Sequence, residues 1–409
     1  MGSAALDALA RLDTDDLIDF GSEQFQTDPW PVYRELRRSD PVHWIAANRM
    51  FFVLRYEDVA HALTDDRLAT DFPVRASRRI FGSTMLDADG AGHRALRQGF
   101  GTLFSAKAVG GYGAQLIAEA VEATLAPLAD CTSVDFAQRV AARLPYEVTT
   151  RLLGVPPEDG PWLRDHVRAV ARGLDFPGGP LAEAQAAESA LCDYLQDAAR
   201  RTTRTAGSAV PSLLDLLAQR AGAPGDPRFG GTAVLFLLAG TETSEAALCT
   251  MMLTLLSQPG PDEVVDWSDR DAVAAGIREA LRWEPPTQSI LRYATDDLTI
   301  RGVHIPRRSA VLLSLASANR DEEVFEEPDR WWPGRPARRS LTFGAGPHTC
   351  LGIHLAYAEF EALAAALGRR FTDIALDGPP PPLRGHGFRR PVRLDLRWRQ
   401  RRRQGGPRS

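Results

Sequence analysis

The sequence has few cysteines and no long apolar run. Its four cysteines, at positions 131, 192, 249 and 350, are scattered singly through 409 residues. That spacing excludes a disulfide framework and suits a reducing compartment. The longest strongly apolar run, residues 233–239, is far below the roughly 20 residues that span a bilayer. The N-terminus also lacks the basic and apolar regions of a signal peptide, so we expect a cytoplasmic protein without a membrane span.

Positive charge is supplied almost entirely by arginine, since Lys107 is the single lysine among 48 basic residues. That bias is typical of a GC-rich bacterial genome. The net charge of −5 gives no sign of nucleic-acid binding, and we expect no nucleic-acid partner. The hydrophobic share of 44% and the charged share of 25% are those of a soluble globular protein.

Hydrophobic periodicity predicts a mainly α protein with small β-sheets. Helical patterns cover residues 31–39, 56–63, about 110–128, 136–153, 157–173, 181–206, 229–257 and 351–367, with further helices beginning near 90 and 107. Extended patterns cover 42–45, 50–54, 291–313 and 383–396, and residues 69–86 are interpreted as an irregular loop. We expect one domain over residues 1–409, with flexible tails at about 1–20 and 399–409.

One cysteine lies in a glycine-rich loop just before an apolar helix, in the run Phe343-Gly-Ala-Gly-Pro-His-Thr-Cys350-Leu-Gly352. Glycine permits backbone angles that other residues avoid, so such a loop can hold a sulfur beneath a flat ligand. Amides near a helix start favour a thiolate. Two other interpretations stay open on the residues alone: a small buried hydrophobe, or a zinc ligand with His348 and His354. Zinc sites normally need a second ligand pair, and the sequence offers none.

The loop resembles the haem-binding signature of the cytochrome P-450 superfamily, F-x-x-G-x-x-x-C-x-G, at every fixed position. The resemblance extends over essentially the whole chain. It implies the cytochrome P-450 fold, a single large haem-binding domain, and haem b (iron protoporphyrin IX) as cofactor. It also implies that Cys350 is the iron ligand, with Phe343, Gly344 and Gly352 in contact with the haem.

A second motif interrupts the apolar helix near residue 240 with Gly240, Glu242 and Thr243. Glycine weakens a helix by about 1 kcal/mol relative to alanine, and a threonine hydroxyl can bond to a helix carbonyl. A local helix opening or ordinary packing would both explain the pattern. The resemblance implies an oxygen-activation segment, in which Thr243 bonds to dioxygen and Glu242 relays protons.

Glu279 and Arg282 lie at i,i+3 on one predicted helix and can form an ion pair. Most such pairs are exposed and contribute under about 1 kcal/mol. The spacing matches the E-x-x-R motif of the superfamily. The resemblance therefore implies a buried structural network that joins this pair to a downstream arginine, for which Arg335 is the candidate.

Haem propionates need cations or hydrogen-bond donors. By resemblance, His93, Arg97, Arg292 and His348 stand at the matching positions, and the i,i+4 spacing of the first two places them on one helix face. At Tyr357 the chain departs from the arginine that many members carry, and Asp71–Met85 is shorter than in many relatives. The expected substrate pocket consists of Phe72, Phe176, Leu235, Phe236, Ala239, Ser289, Ile290, Leu291 and Phe388.

The resemblance implies a haem-thiolate monooxygenase that takes two electrons from a ferredoxin and a ferredoxin reductase. It would hydroxylate or epoxidise a small molecule of secondary metabolism. Alternatives are an enzyme of the same fold that couples C–C or C–N bonds or uses peroxide, and a haem-binding sensor without turnover. We expect a monomer.

Overall fold

The computed structural model describes residues 18–72, 75–175, 179–202, 212–257, 266–336 and 340–401. Helices make up most of this part of the chain, and three small sheets lie among them. The predicted class, mainly α with small sheets, is confirmed.

The α-helices are numbered in chain order. They are α1 Glu23–Thr27, α2 Trp30–Ser39, α3 Tyr56–Ala62, α4 Ala76–Phe81, α5 Gly90–Gly101, α6 Ala106–Ala108, α7 Ala114–Leu125, α8 Leu144–Leu153, α9 Gly160–Leu174, α10 Leu181–Thr202, α11 Leu213–Arg220, α12 Pro227–Leu256, α13 Arg270–Trp283, α14 Leu315–Ala318 and α15 Ile353–Arg370. Two π-helical turns, Val109–Gly113 and Ala137–Ala141, precede α7 and α8.

The strands are β1 Val42–Ile45, β2 Met50–Val53, β3 Leu68–Ala69, β4 Ser133–Asp135, β5 Ser289–Ala294, β6 Leu298–Ile300, β7 Val303–Ile305, β8 Ala310–Ser314, β9 Phe371–Leu376 and β10 Asp395–Gln400. The largest sheet has the order β1-β2-β8-β5-β3, and only its β2–β8 pair is parallel. The other two sheets have the orders β4-β10-β9 and β6-β7.

Helix α12 forms the centre of the largest hydrophobic cluster. It begins where the Asp226 side chain accepts a hydrogen bond from the Arg228 amide and Pro227 fills the first helical position, two standard helix-start features. Its apolar half is buried on all sides, as expected of a core helix. It is long and apolar enough to cross a bilayer, but 78% of its most apolar window is buried inside the protein.

The expected loop at 69–86 and the two expected tails need correction. Residues 69–86 are not an irregular loop throughout, because they contain helix α4 and a 3₁₀ turn at Met85–Asp87. The predicted tails are too long, since Ile18 and Phe20 are buried in a hydrophobic cluster and β10 continues to Gln400. Residues 1–17 and 402–409 lie outside the described residues.

Candidate active site

A cavity of about 350 Å³ lies between α12 and the loop that ends at Cys350. Its wall combines apolar side chains of α12, α8 and β5 with residues of the cysteine loop and the start of α15. Thr243 of α12 and Cys350 both belong to this wall. The fold thereby brings together two motifs that are 107 positions apart in the sequence (350 minus 243).

The cysteine loop is closed by a hydrogen bond from the Cys350 amide to the Phe343 carbonyl oxygen, 2.8 Å long. Gly344 and Gly346 both have a left-handed φ, near +69° and +70°. At Gly346 a Cβ atom would come within 2.8 Å of the Thr64 side chain. Glycine is therefore required at this turn for both conformation and space.

The Cys350 side chain is exposed to the cavity, whereas the thiol of Cys249 is fully enclosed in the core. Burial raises the pKa of the Cys350 thiol, while a hydrogen bond from the Gly352 amide and the positive charge of Arg97 act to lower that pKa. The amide and the guanidinium therefore favour a thiolate at this position once an electrophilic partner binds the sulfur.

The polar turn of α12 faces the cavity through Thr243 and Gly240. The helix runs through this turn without interruption, so of the two interpretations, local opening and ordinary packing, the structure shows packing. A Cβ atom at residue 240 would lie 2.8 Å from the Thr149 hydroxyl oxygen, which explains the glycine by the close approach of α8. The Thr243 hydroxyl donates to the Ala239 carbonyl at 2.7 Å, the helix bond that the sequence predicts.

Glu242 lies outside the cavity wall and is only 1% exposed. Its Oε2 atom accepts a hydrogen bond from Arg390 at 3.1 Å, and its Oε1 atom accepts one from the Tyr146 hydroxyl at 3.4 Å. Burial raises the pKa of Glu242, and Arg390 acts in the opposite direction. A proton on this carboxyl is thus stabilised by its surroundings, as a buried proton donor requires.

Three of the four predicted propionate-binding residues belong to the cavity wall: His93, Arg97 and His348. The two imidazole rings lie 4.0 Å apart, and the His348 ring is within 3.3 Å of the Asp89 carboxylate. Burial, together with the charges of His348 and Arg97, lowers the pKa of His93 to about 4. Arg97 also donates to the Thr349 carbonyl at 2.5 Å, which connects α5 to the cysteine loop.

The fourth residue, Arg292, does not reach the wall of this cavity. It is buried on β5, where burial and the neighbouring charge of Arg75 lower its pKa to about 10. Asp89 opposes that decrease. Arg75 in turn lies 3.6 Å from the buried Asp87 carboxylate, so two carboxylates, Asp87 and Asp89, act on these two guanidinium groups.

Glu279, Arg282 and Arg335 come together in a buried network. Both nitrogen atoms of the Arg282 fork donate to the Glu279 carboxylate, at 2.8 and 2.7 Å. Arg335 Nε donates to the same carboxylate at 3.1 Å, and the Trp332 amide does so at 3.2 Å. This is a fully satisfied charge network rather than an exposed ion pair.

Four of the nine predicted pocket residues line the cavity: Leu235, Phe236, Ala239 and Ile290. Phe72, Ser289, Leu291 and Phe388 lie outside its wall, and Phe176 falls outside the described residues. The prediction fails for Phe72 because its ring stacks on Tyr293 at 3.7 Å. On β5 the strand alternation explains the difference, since Ile290 projects to one face and its two neighbours to the other.

Residues 184–394 match the family model of Cytochrome P450. Vitamin D(3) 25-hydroxylase of Pseudonocardia autotrophica is 32% identical over 366 residues, 87% of this chain and 88% of that relative. The chain belongs to the cytochrome P450 family. Cyclomarin C epoxidase CymV of Salinispora arenicola is 32% identical over 367 residues, 85% of this chain and 90% of that relative. The crystal structure of CalO2 superposes with a TM-score of 0.83 at 29% identity and covers 93% of this chain and 98% of its own.

As a cytochrome P450 monooxygenase, the protein uses haem b, which the family binds through a cysteine thiolate. The described residues fit that cofactor. Cys350 faces a cavity with apolar walls, and the Arg97 guanidinium with the imidazoles of His93 and His348 in the same wall would donate hydrogen bonds to the propionates. Haem supplies the one-electron and oxygen chemistry, while the protein supplies the axial ligand, the pocket and the protons.

Sequence reasoning missed several residues of this P450 site. Thr149 and Thr287 line the cavity, although no motif marks them. Glu359 also lines it, is fully enclosed, and has an Oε1 atom without a hydrogen-bond partner among the described residues. Burial raises the pKa of Glu359 to about 8. Helical spacing from Cys350 could have placed Glu359 near the haem. Nothing in the sequence indicated that one of its oxygens would lack a hydrogen-bond partner.

Proposed function

We propose that this P450 inserts one oxygen atom from O₂ into a small-molecule substrate of secondary metabolism, by hydroxylation or epoxidation. The balanced reaction is R–H + O₂ + 2 e⁻ + 2 H⁺ → R–OH + H₂O, or the corresponding epoxide from an alkene. The electrons would come from a ferredoxin and its reductase. We propose a cytoplasmic monomer as the working form.

The observation that carries the proposal is the placement of Cys350 and Thr243 in the wall of one cavity. Cys350 would hold the haem in this cavity, whose wall also includes Gly240 and Thr243 of α12. The Thr243 hydroxyl can then give up its 2.7 Å bond to the Ala239 carbonyl and donate to oxygen instead. Glu242, the residue before Thr243, supplies an acid with a raised pKa.

The surroundings favour a neutral, largely apolar substrate. Along α12 and β5 the described wall presents Leu235, Phe236, Ala239 and Ile290, and its polar groups there are hydroxyls. Apolar walls with a few hydroxyls bind by shape and orient by single hydrogen bonds. The names of the two relatives, a vitamin D(3) hydroxylase and a cyclomarin C epoxidase, support both reaction types.

An intact pair of Glu242 and Thr243 favours O₂ use over obligate peroxide use, because hydrogen peroxide already carries the two electrons and two protons that O₂ has to be given. Radical coupling of C–C or C–N bonds remains the second candidate reaction within the same site. Product analysis distinguishes the two: insertion adds one oxygen atom to the substrate, whereas coupling removes two hydrogens.

The test begins with the iron ligand. Reduced protein with carbon monoxide should show the far-red-shifted Soret band of thiolate ligation, and Cys350→Ser should abolish it. Cys249→Ser is a matched control, because that thiol is enclosed in the core and should leave the band unchanged. A native protein without this band, or one that binds carbon monoxide yet oxidises nothing in a panel of neutral natural products, would refute the proposal.

A further inference from the structure

Two carboxylates, not one, lie on the outer side of the polar turn of α12. Glu245 follows Glu242 by three residues, so both side chains project from the same helix face. They are 3% and 1% exposed. The proposed function uses only Glu242. A second buried carboxylate beside it needs its own explanation, because buried like charges destabilise each other unless a cation or a proton compensates.

One arginine connects the two carboxylates. Arg390 places Nη2 at 3.1 Å from Glu242 Oε2 and Nε at 3.3 Å from Glu245 Oε1. Arg168 of α9 contacts the same Glu245 oxygen at 2.9 Å. Tyr146 of α8 completes the group through its bond to Glu242. The side chains of Arg390 and Arg168 are 21% and 27% exposed, so the cluster reaches from the buried turn of α12 to solvent.

Glu245 has an atom that these contacts leave unused. Its Oε2 is buried and has no hydrogen-bond partner among the described residues. A buried oxygen without a hydrogen-bond partner is unfavourable. A water molecule bonded to this oxygen would satisfy it and continue a hydrogen-bonded path toward Glu242.

The segment that carries Arg390 is attached to the cavity wall. The Gly387 carbonyl accepts a hydrogen bond from the Thr287 hydroxyl at 3.2 Å, and Thr287 lines the cavity. The Gly387 amide donates to the Asp175 carboxylate at 2.7 Å, at the end of α9. The turn three residues before Arg390 is thus bonded to a residue of the cavity wall, although Arg390 itself does not reach the cavity.

We propose that Arg390 is a positioning residue for proton delivery, which holds Glu242 and Glu245 together as the outer part of the relay and connects them to solvent. The inference rests on the proposed oxygen-dependent function. It assigns proton entry to the side of α12 that faces the C-terminal segment. Thr243 is then the last group in the path, and Glu245 the first buried one.

The charges around Glu242 predict opposite effects for two substitutions. Burial raises the pKa of Glu242; Arg390 and Arg168 lower that pKa, and Glu245 raises it further. In Arg390→Gln the positive charge that lowers the pKa of Glu242 is lost, so Glu242 should keep its proton to higher pH. In Glu245→Gln the negative charge beside Glu242 is lost, while the positive charges of Arg390 and Arg168 remain. Glu242 should therefore lose its proton at lower pH.

The experiment is an infrared titration of the haem-loaded protein. The carboxylic C=O band of Glu242 is identified by its absence in Glu242→Gln, and its titration is followed in Arg390→Gln and Glu245→Gln. Arg393→Gln is the matched control, because that arginine is exposed, lies in the same segment and pairs with Asp395 instead. We expect the titration of the Glu242 band to shift to higher pH in Arg390→Gln and to lower pH in Glu245→Gln. In Arg393→Gln it should not shift.

A second measurement connects titration to function without a known substrate. With NADPH and a surrogate ferredoxin and reductase, the peroxide released per NADPH is followed against pH during substrate-free oxygen reduction. The pH at which peroxide rises should move with the infrared titration in each variant. Absence of either infrared shift, or a peroxide profile that does not follow the shifts, overturns the inference. A native protein without the carbon monoxide band would instead refute the proposed function.

Discussion

Replacement of Glu279 by alanine should destabilise the fold strongly. The carboxylate accepts four hydrogen bonds, from two nitrogens of Arg282, from Arg335 and from the Trp332 amide. The side chains of the two arginines are 3% and 7% exposed. Removal of the one anion leaves two buried cations unpaired, and breaking a buried pair in this way costs about 3–5 kcal/mol. The cysteine loop lies close by, since Arg335 and Phe343 line one small pocket with Tyr357.

The assay is the free energy of unfolding in urea, measured together with the haem content after expression. We expect a loss of about 3–5 kcal/mol and poor haem loading. Asp197→Ala is the matched control, because Asp197 and Arg200 have the same i,i+3 spacing on α10 but are 60% and 53% exposed. That variant should lose less than about 1 kcal/mol. Equal losses in the two variants, or normal haem loading of Glu279→Ala, would refute the structural role.

Three further outcomes follow from the site. Thr243→Ala should release peroxide in place of product while oxygen use continues, because the last hydroxyl of the proton path is lost; unchanged coupling would contradict its role. Arg97→Gln should speed haem transfer to apomyoglobin, because a cation of the cavity wall and its bond to the Thr349 carbonyl are both removed. Burial raises the pKa of Glu359 from 4.5 to about 8, so the folded protein holds a proton that the unfolded chain releases. The free energy of unfolding should therefore fall as pH rises from 4.5 to about 8. Urea unfolding at several pH values should show a smaller fall in Glu359→Gln.

The residues that could be predicted from the sequence belong to continuous motifs. Cys350 and its glycines form a loop whose required backbone conformation is written in ten consecutive residues, and the structure has the expected left-handed angles. The pairing of Glu279 with Arg282 follows from helical spacing alone. The strand pair β1–β2 was also predictable, because two short extended runs flank one turn.

Two contacts between distant segments could not be predicted from local patterns: that of Arg390 with Glu242 and that of Phe72 with Tyr293. Arg390 is 148 positions after Glu242, and its segment carries no pattern that points toward α12. Phe72 was expected in the pocket, but its ring stacks on Tyr293 of the neighbouring strand. In both cases the deciding contact depends on how separate elements pack, and local periodicity contains no information about that packing.

The two buried carboxylate networks differ in a way that separates a structural role from a proton-carrying one. Around Glu279 the bonds are 2.7–3.2 Å long and both oxygens are satisfied by fixed donors. Such a network holds one arrangement, because each change of position breaks a strong bond. Around Glu242 and Glu245 the corresponding contacts are 2.9–3.4 Å, and one oxygen is unsatisfied. At Glu242 burial raises the pKa and Arg390 lowers it, and these opposed effects bring the protonated and ionised forms closer in free energy, as a proton relay requires.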